Sequence, residues 1–223
     1  MKRFAIITAG GIGTRMHSEI PKQFLKLSDL PILMHTLKKF YDFDNSIQII
    51  LSLPANYFNY WNNLCAEYRF DINHRIVAGG KTRFHSIKNA LKTINKTGIV
   101  AVHDGVRPLV SSDTIKRTFE KAQQSGNAVA ACDIFFSIRK IEKKKNYAVN
   151  RSAYKEIQTP QTFHAEALKE AYDTKFKEEF TDDASVFEAA GHQINLTKGN
   201  RENIKITSPE DLLFAEILLN RIV

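Results

Sequence analysis

The sequence predicts an α/β protein: a mainly parallel sheet with helices on both faces. Short apolar runs suited to buried strands alternate with stretches whose apolar residues recur at helical spacing. The first run leads straight into the glycine-rich turn Gly10-Gly11-Ile12-Gly13. Further polar motifs follow the third and fourth strands, and open α/β sheets carry ligands at the carboxyl ends of strands.

Each element has its own signal. Phe4-Ala5-Ile6-Ile7 is a buried first strand. Pro31 to Phe40 places apolar residues at Leu33, Leu37 and Phe40, one buried helical face. Ile47 to Leu53 is the second strand. Asn56 to Tyr68 is a helix, with Tyr57, Tyr60, Trp61, Leu64 and Tyr68 as a packing stripe rather than a base-stacking surface. Ile72 to Val77 is a third strand, Arg83 to Ile94 a helix and Ile99 to Val102 a fourth strand. Asp113 opens the next helix as its N-cap. Phe135 to Arg139 and Tyr147 to Val149 read as strands flanking a lysine turn. Ser208-Pro209-Glu210-Asp211 fits a capping box with Pro in the first turn, and Leu212, Leu213, Ala215, Ile217 and Leu218 behind it read as core. No internal repeat or flexible linker interrupts residues 1–223, so one domain is expected.

Composition agrees with a soluble enzyme. Hydrophobic residues make up 43% and charged residues 25% of the 223 positions, ordinary values for a globular chain. The apolar run after Met1-Lys2-Arg3 ends at Gly10, too short for a signal-peptide core, and no segment reaches membrane-spanning length. With Cys65 and Cys132 as the only cysteines, neither a disulfide framework nor a metal cluster is indicated. The expectation is a cytoplasmic protein that engages no membrane. A formal charge of +8 favours anionic partners. No basic stripe interleaved with aromatics is present, so phosphate-bearing small molecules are preferred to nucleic acid.

Three motifs carry candidate chemistry. In the first turn, backbone free of Cβ atoms can approach a ligand closely, and successive N–H groups can hold phosphate oxygens. Arg15 and Lys22 add positive charge there. The same residues also suit a plain tight connection. The dinucleotide and P-loop fingerprints both fail, since no third glycine and no Gly-Lys-Ser/Thr follow. What remains, G-x-G-x-R-M followed by P-K-Q, is similar to nucleotidyltransferases that activate sugars and sugar-like alcohols. After the third strand, Gly79-Gly80 suits close approach to a base or ribose, and Ser86 offers a small donor or acceptor; a simple strand-helix turn is the alternative. After the fourth strand, Asp104 suits Mg²⁺ or a substrate hydroxyl, the alternatives being a helix cap or an ion pair with Arg107. His103 reads as a packed histidine. Thr181-Asp182-Asp183 suits a helix N-terminus as well as a site.

The ordered motifs TAGGIGTRM, PKQF, GGKTRFHSI, HDGVRP, TPQTF, TDDASVFEAAG and GNRENIKIT resemble those of the 2-C-methyl-D-erythritol 4-phosphate cytidylyltransferases over essentially the whole chain. The resemblance implies a Rossmann-like sheet of the nucleotide-diphospho-sugar transferase type, with a protruding β-arm, here about residues 135–158, that interlocks a homodimer. It implies CTP and methylerythritol phosphate as substrates and Mg²⁺ as cofactor. Ala9, Gly10, Gly11, Gly13, Gly80, Ser86 and Asp104 would bind CTP, with Asp104 also at the metal. Arg15, Lys22, Arg151 and Lys205 would be catalytic. Arg107, Thr159 and Thr181 would bind the acceptor, with Arg151 and Thr159 reaching across the dimer. Lys205 would enter the cleft if Ile204 and Ile206 face the core of a strand. Gly105-Val106 and Lys81 depart from the family's usual residues. The rival readings are a ribitol-5-phosphate cytidylyltransferase and a non-enzymatic CTP-sensing dimer.

Overall fold

In the computed structural model, described for residues 1–11, 16 and 20–222, the chain runs β1 (Lys2–Thr8), β2 (Lys26–Leu27), β3 (Leu30–Pro31), α1 (Ile32–Phe43), β4 (Gln48–Leu53), α2 (Phe58–Glu67), β5 (His74–Ala78), α3 (Arg83–Leu91) and β6 (Gly98–Asp104). It continues through α4 (Ser112–Ser125), β7 (Asn127–Asp133), β8 (Arg139–Glu142), β9 (Lys145–Ala148), β10 (Lys155–His164), α5 (Ala165–Ala171), α6 (Asp183–Ala189), β11 (Leu196–Lys198) and α7 (Pro209–Ile222). A seven-stranded sheet has the order β11-β7-β10-β6-β1-β4-β5. All its pairings are parallel except those of β10, which runs antiparallel to β6 and β7. The order switches at β1: the next strand in sequence from the sheet lies on one side and β6 on the other. A crevice above the carboxyl end of β1 follows from that geometry.

Alternation along β1 builds both cores. Ala5 and Ile7 face α1, α2 and α4, where Leu33, Leu37, Trp61 and Phe119 are buried. Phe4 and Ile6 face α3, α5 and α6, where Phe84, Leu168 and Phe187 are buried. Helices therefore cover both faces, as expected. Trp61 is fully buried, and its indole N–H donates to His74 Nε2 at 2.8 Å, so the ring costs no unpaired donor.

Several local expectations need correction. The N-cap of α4 is Ser111, whose hydroxyl accepts from Thr114 N; Asp113 lies inside the first turn. Tyr60 leaves the packing stripe, 39% exposed, though its ring lies 5.0 Å from that of Phe24. In α7, Leu212, Ala215 and Leu218 pack inward, but Leu213 and Ile217 are exposed. A 14-residue helix on the surface buries only one stripe. The capping box before α7 is present, with Ser208 N donating to Asp211 Oδ2 and Asp211 N to Ser208 Oγ. Residues 203–207 form no strand. Ile206 N donates to Val106 O at 2.9 Å, with Ile206 buried and Lys205 outward.

Candidate functional site

The crevice holds a cavity of about 340 Å³ lined by residues of the first turn, Lys22 and Gln23, the start of α3, the end of β6 and Lys205. Local bonds account for the shape. Ala9 N donates to Ser52 O and Gly105 N to Thr8 O, so both loops leave the sheet in fixed directions. Gln23 Nε2 donates to Ala9 O at 2.9 Å and ties the Pro-Lys-Gln segment to the first turn. At Gly10 and Gly11 a Cβ would meet only ordinary contacts, at 3.9 and 3.8 Å, and neither has a positive φ. These glycines serve to keep the floor open. Gly13 and Arg15 lie outside the described residues.

On the opposite wall, Ser86 builds the loop. Its hydroxyl accepts from Gly80 N and donates to Thr82 O, each at 3.0 Å. Its donor is spent inside the protein, so only acceptor capacity is left for a ligand, less than the sequence suggests. Gly80 is required there: a Cβ would lie 2.4 Å from His85 Cβ.

Asp104 forms the base of the cavity. Its Oδ2 lies 3.0 Å from Lys205 Nζ and 3.3 Å from Arg107 Nε, and its Oδ1 lies 3.6 Å from Arg83 Nε. Burial alone would push this carboxyl up. The charges of Arg83, Lys205 and Arg107 outweigh that and hold it well below the usual carboxylate range. The ion pair with Arg107 raised by the sequence therefore exists, as one of three. Arg107 also donates to Asn203 O at 2.7 Å and sits buried behind Asp104.

Beneath Asp104 runs a buried relay. His103 Nε2 lies 3.1 Å from Arg107 O and can only donate there, which assigns its proton. Nδ1 then accepts from Thr159 Oγ1 at 3.0 Å, and Thr159 Oγ1 accepts from Asp104 N at 3.1 Å. Burial lowers the His103 pKa to about 4, so the ring is neutral at pH 7. Thr159 is thus buried in its own subunit, at the foot of its own Asp104. This corrects its expected projection across a dimer.

Thr181 is exposed and precedes α6, whose N-cap is Asp182. Arg151 is exposed on the arm and donates to Phe135 O, away from the cavity. Sequence reasoning missed Arg83, which joins Asp104 to the buried Asp183. Among the described residues, no cluster of three or more His, Cys, Asp or Glu suits a metal ion.

Comparison with known proteins finds relatives over the whole chain. The 2-C-methyl-D-erythritol 4-phosphate cytidylyltransferase family model matches residues 4–221. A protein of that description from Bacteroides fragilis is 49% identical, covering 98% of this chain and all of its own. One from Porphyromonas gingivalis is 50% identical over 98% of both chains. The solved 4-diphosphocytidyl-2C-methyl-D-erythritol synthase of Anaerococcus prevotii superposes with a TM-score of 0.84 at 28% identity over 99% of both chains. That of the Thermus thermophilus cytidylyltransferase gives 0.79 at 30%, over 99% of this chain and 100% of the other. From the first strand to the last helix, this chain belongs to the 2-C-methyl-D-erythritol 4-phosphate cytidylyltransferase family.

Proposed function

We propose that this protein transfers CMP from CTP to 2-C-methyl-D-erythritol 4-phosphate, releasing pyrophosphate, as an enzyme of non-mevalonate isoprenoid synthesis. The observation that carries the reading is the cation-lined cavity at the switch point, with Lys22 and Lys205 at its wall and Asp104 at its base. Two anions must meet there. The acceptor's phosphate oxygen attacks the α-phosphorus in line, and the bond to the pyrophosphate leaving group breaks. A phosphate monoester is already anionic near pH 7, so no general base is required. The neutral, buried His103 is not called on. The barrier is repulsion plus charge growing on the leaving group, and fixed lysines lower both through position and electrostatics. In this reading Arg15 joins them, Ala9, Gly10, Gly11 and Gly80 face the nucleotide, and Thr181 faces the acceptor.

Mg²⁺ fits the site only in one mode. Asp104 would offer it a single carboxylate, and nucleotide phosphates and water would supply the remaining ligands, a common arrangement for this ion. When bound, the ion would neutralise phosphate charge as a Lewis acid. The arm supports a homodimer. Phe135, Phe136, Ile141 and Tyr147 are 50%, 81%, 69% and 46% exposed, and among the described residues β8 pairs only with β9. A second copy would cover that surface and bring its Arg151 towards this cavity. We take residues 1–223 as one nucleotidyltransferase unit working in the cytoplasm; among the described residues no helix is long and apolar enough to cross a membrane.

The test is pyrophosphate release from CTP and Mg²⁺ with methylerythritol 4-phosphate or ribitol 5-phosphate. Turnover with the first, reduced on the order of 10²–10³-fold in Lys22→Ala and Lys205→Ala, is expected. Preference for ribitol phosphate overturns the substrate assignment. CTP binding without turnover on either overturns the enzyme.

A further inference from the structure

Arg83 lines the cavity, and a cation there invites a role as phosphate ligand. Its partners argue against it. Its Nη2 donates to Asp183 Oδ2 at 2.6 Å, on the side away from the cavity, while its Nε faces Asp104 Oδ1. Asp183 is fully buried and does not line the cavity. Its second oxygen accepts from Tyr172 O–H at 2.6 Å, and the Tyr172 ring lies stacked on Phe84, 4.8 Å between centroids. The backbone around Asp183 is held as well. Asp182 caps α6 through Ser185 N, and Gln161 bridges Asp182 Oδ2 and Ala184 N, both at 2.8 Å.

A buried carboxylate is tolerated only while paired. Arg83 cannot swing to a phosphate without stranding Asp183, so its charge is committed. Lys205 differs: its side chain is 43% exposed and, among the described residues, it pairs with Asp104 Oδ2 alone. An arriving phosphate competes for Lys205 far more easily than for Arg83.

We propose that Arg83 is a positioning residue, not a phosphate ligand: pinned by Asp183, it holds the Asp104 carboxylate still while Lys205 exchanges between Asp104 and the substrate phosphates. The proposal rests on the CMP-transfer reading and adds a residue outside the cavity, Asp183, to the apparatus that orients it.

The experiment compares wild type with Asp183→Asn, Tyr172→Phe and the charge-balanced double variant Arg83→Gln/Asp183→Asn. CTP affinity by calorimetry with Mg²⁺, kcat, KM and Tm are read for each. Asp183→Asn is expected to lower kcat by about ten- to a hundredfold, the scale of a small misplacement, with CTP affinity unchanged or tighter. Tyr172→Phe removes a hydrogen bond from Asp183 but leaves its pairing with Arg83. It is expected to lower Tm while kcat stays within twofold of wild type. The double variant is expected to keep CTP affinity within threefold. Three results overturn the proposal: unchanged kcat in Asp183→Asn, equal kcat losses in Asp183→Asn and Tyr172→Phe that follow Tm, or a tenfold or greater loss of CTP affinity in the double variant. A wild-type protein that binds CTP without turnover overturns the functional reading instead, and the CTP affinity of the double variant still decides whether Arg83 is a phosphate ligand.

Discussion

Replacing Thr159 by Val separates two roles for its hydroxyl, acceptor binding and internal support. The side chains have nearly the same shape, so packing is kept and one oxygen is lost. That oxygen accepts from Asp104 N at 3.1 Å and donates to His103 Nδ1 at 3.0 Å. Water cannot replace it easily, since His103 is 0% and Thr159 5% exposed. Two buried polar groups are orphaned, each costing about 1–3 kcal/mol, for a total of about 2–6 kcal/mol. The assay is urea unfolding followed through Trp61, the single tryptophan, at one protein concentration. With a slope of about 2 kcal/mol/M the midpoint falls by about 1–3 M. Thr159→Ser restores the oxygen and most of the loss. A Val variant within about 0.5 kcal/mol of wild type, with a raised KM for methylerythritol phosphate, refutes the internal role and returns Thr159 to the substrate.

Three further outcomes follow from the geometry. Gly80→Ala puts a Cβ 2.4 Å from His85 Cβ; the start of α3 must shift, at about 1–3 kcal/mol, and calorimetry should find CTP bound at least tenfold more weakly. Gly105→Ala meets Leu33 Cδ1 at 2.9 Å and Thr8 O at 3.0 Å, so a thermal melt should show a loss of similar size. For pH, His103 titrates near 4 when folded against about 6.5 unfolded. Between those values the unfolded chain binds a proton that the folded chain refuses. Stability contributed by His103 is complete above pH 6.5 and falls on acidification by about 1.4 kcal/mol per unit. Burial lowers His35 and His74 as well, with the same sign. Asp104 acts only below this window. Urea melts at pH 7 and 5 read the slope, and His103→Gln should flatten it; an unchanged slope in that variant refutes the assignment.

The parallel half of the sheet was legible because β1, β4 and β6 bury apolar residues on both faces, which leaves continuous runs in the sequence. β7 and β10 were not. β7 is built on Ala128, Ala130 and Ala131, and β10 buries Gln158, Thr159, Gln161 and Thr162. β7 has a run of small residues around Val129 and β10 mixes these buried polar residues with Phe163, weak signals for strands; the pairing of β10 with β7 and β6 makes them so. Where the arm is expected there is a hairpin with its strands displaced: it turns at Lys143, at φ 53°, which sets β8 and β9 over 139–142 and 145–148 rather than 135–139 and 147–149. In the site, Asp104 stood out by its place at a strand end. Of its partners, Arg107 lies three residues on, while Arg83 and Lys205 come from distant parts of the chain. Arg83 was missed because an arginine in a helix's first turn looks like solvated surface, and only the buried Asp183 shows otherwise. Gly13 and Arg15 of the first turn lie outside the described residues.

The five charges clustered around Asp104 are ordered by depth, and that order decides which of them substrate can move. Arg83 lies between Asp104 and Asp183, and Arg107 donates to Asp104 and to Asn203 O. Counted together, Arg83, Arg107 and Lys205 give three positive charges and Asp104 and Asp183 two negative ones. The surplus positive charge belongs to the most exposed of the five side chains, Lys205. A buried surplus would cost several kcal/mol in desolvation, whereas an exposed one costs little and remains available. Without Asp104 the three cations would repel one another across the floor of the cavity, and Lys205 would have no reason to stay near it. The carboxylate therefore keeps Lys205 at the place where phosphate arrives, and the phosphate needs only to outbid one oxygen of Asp104, whose other oxygen stays with Arg83.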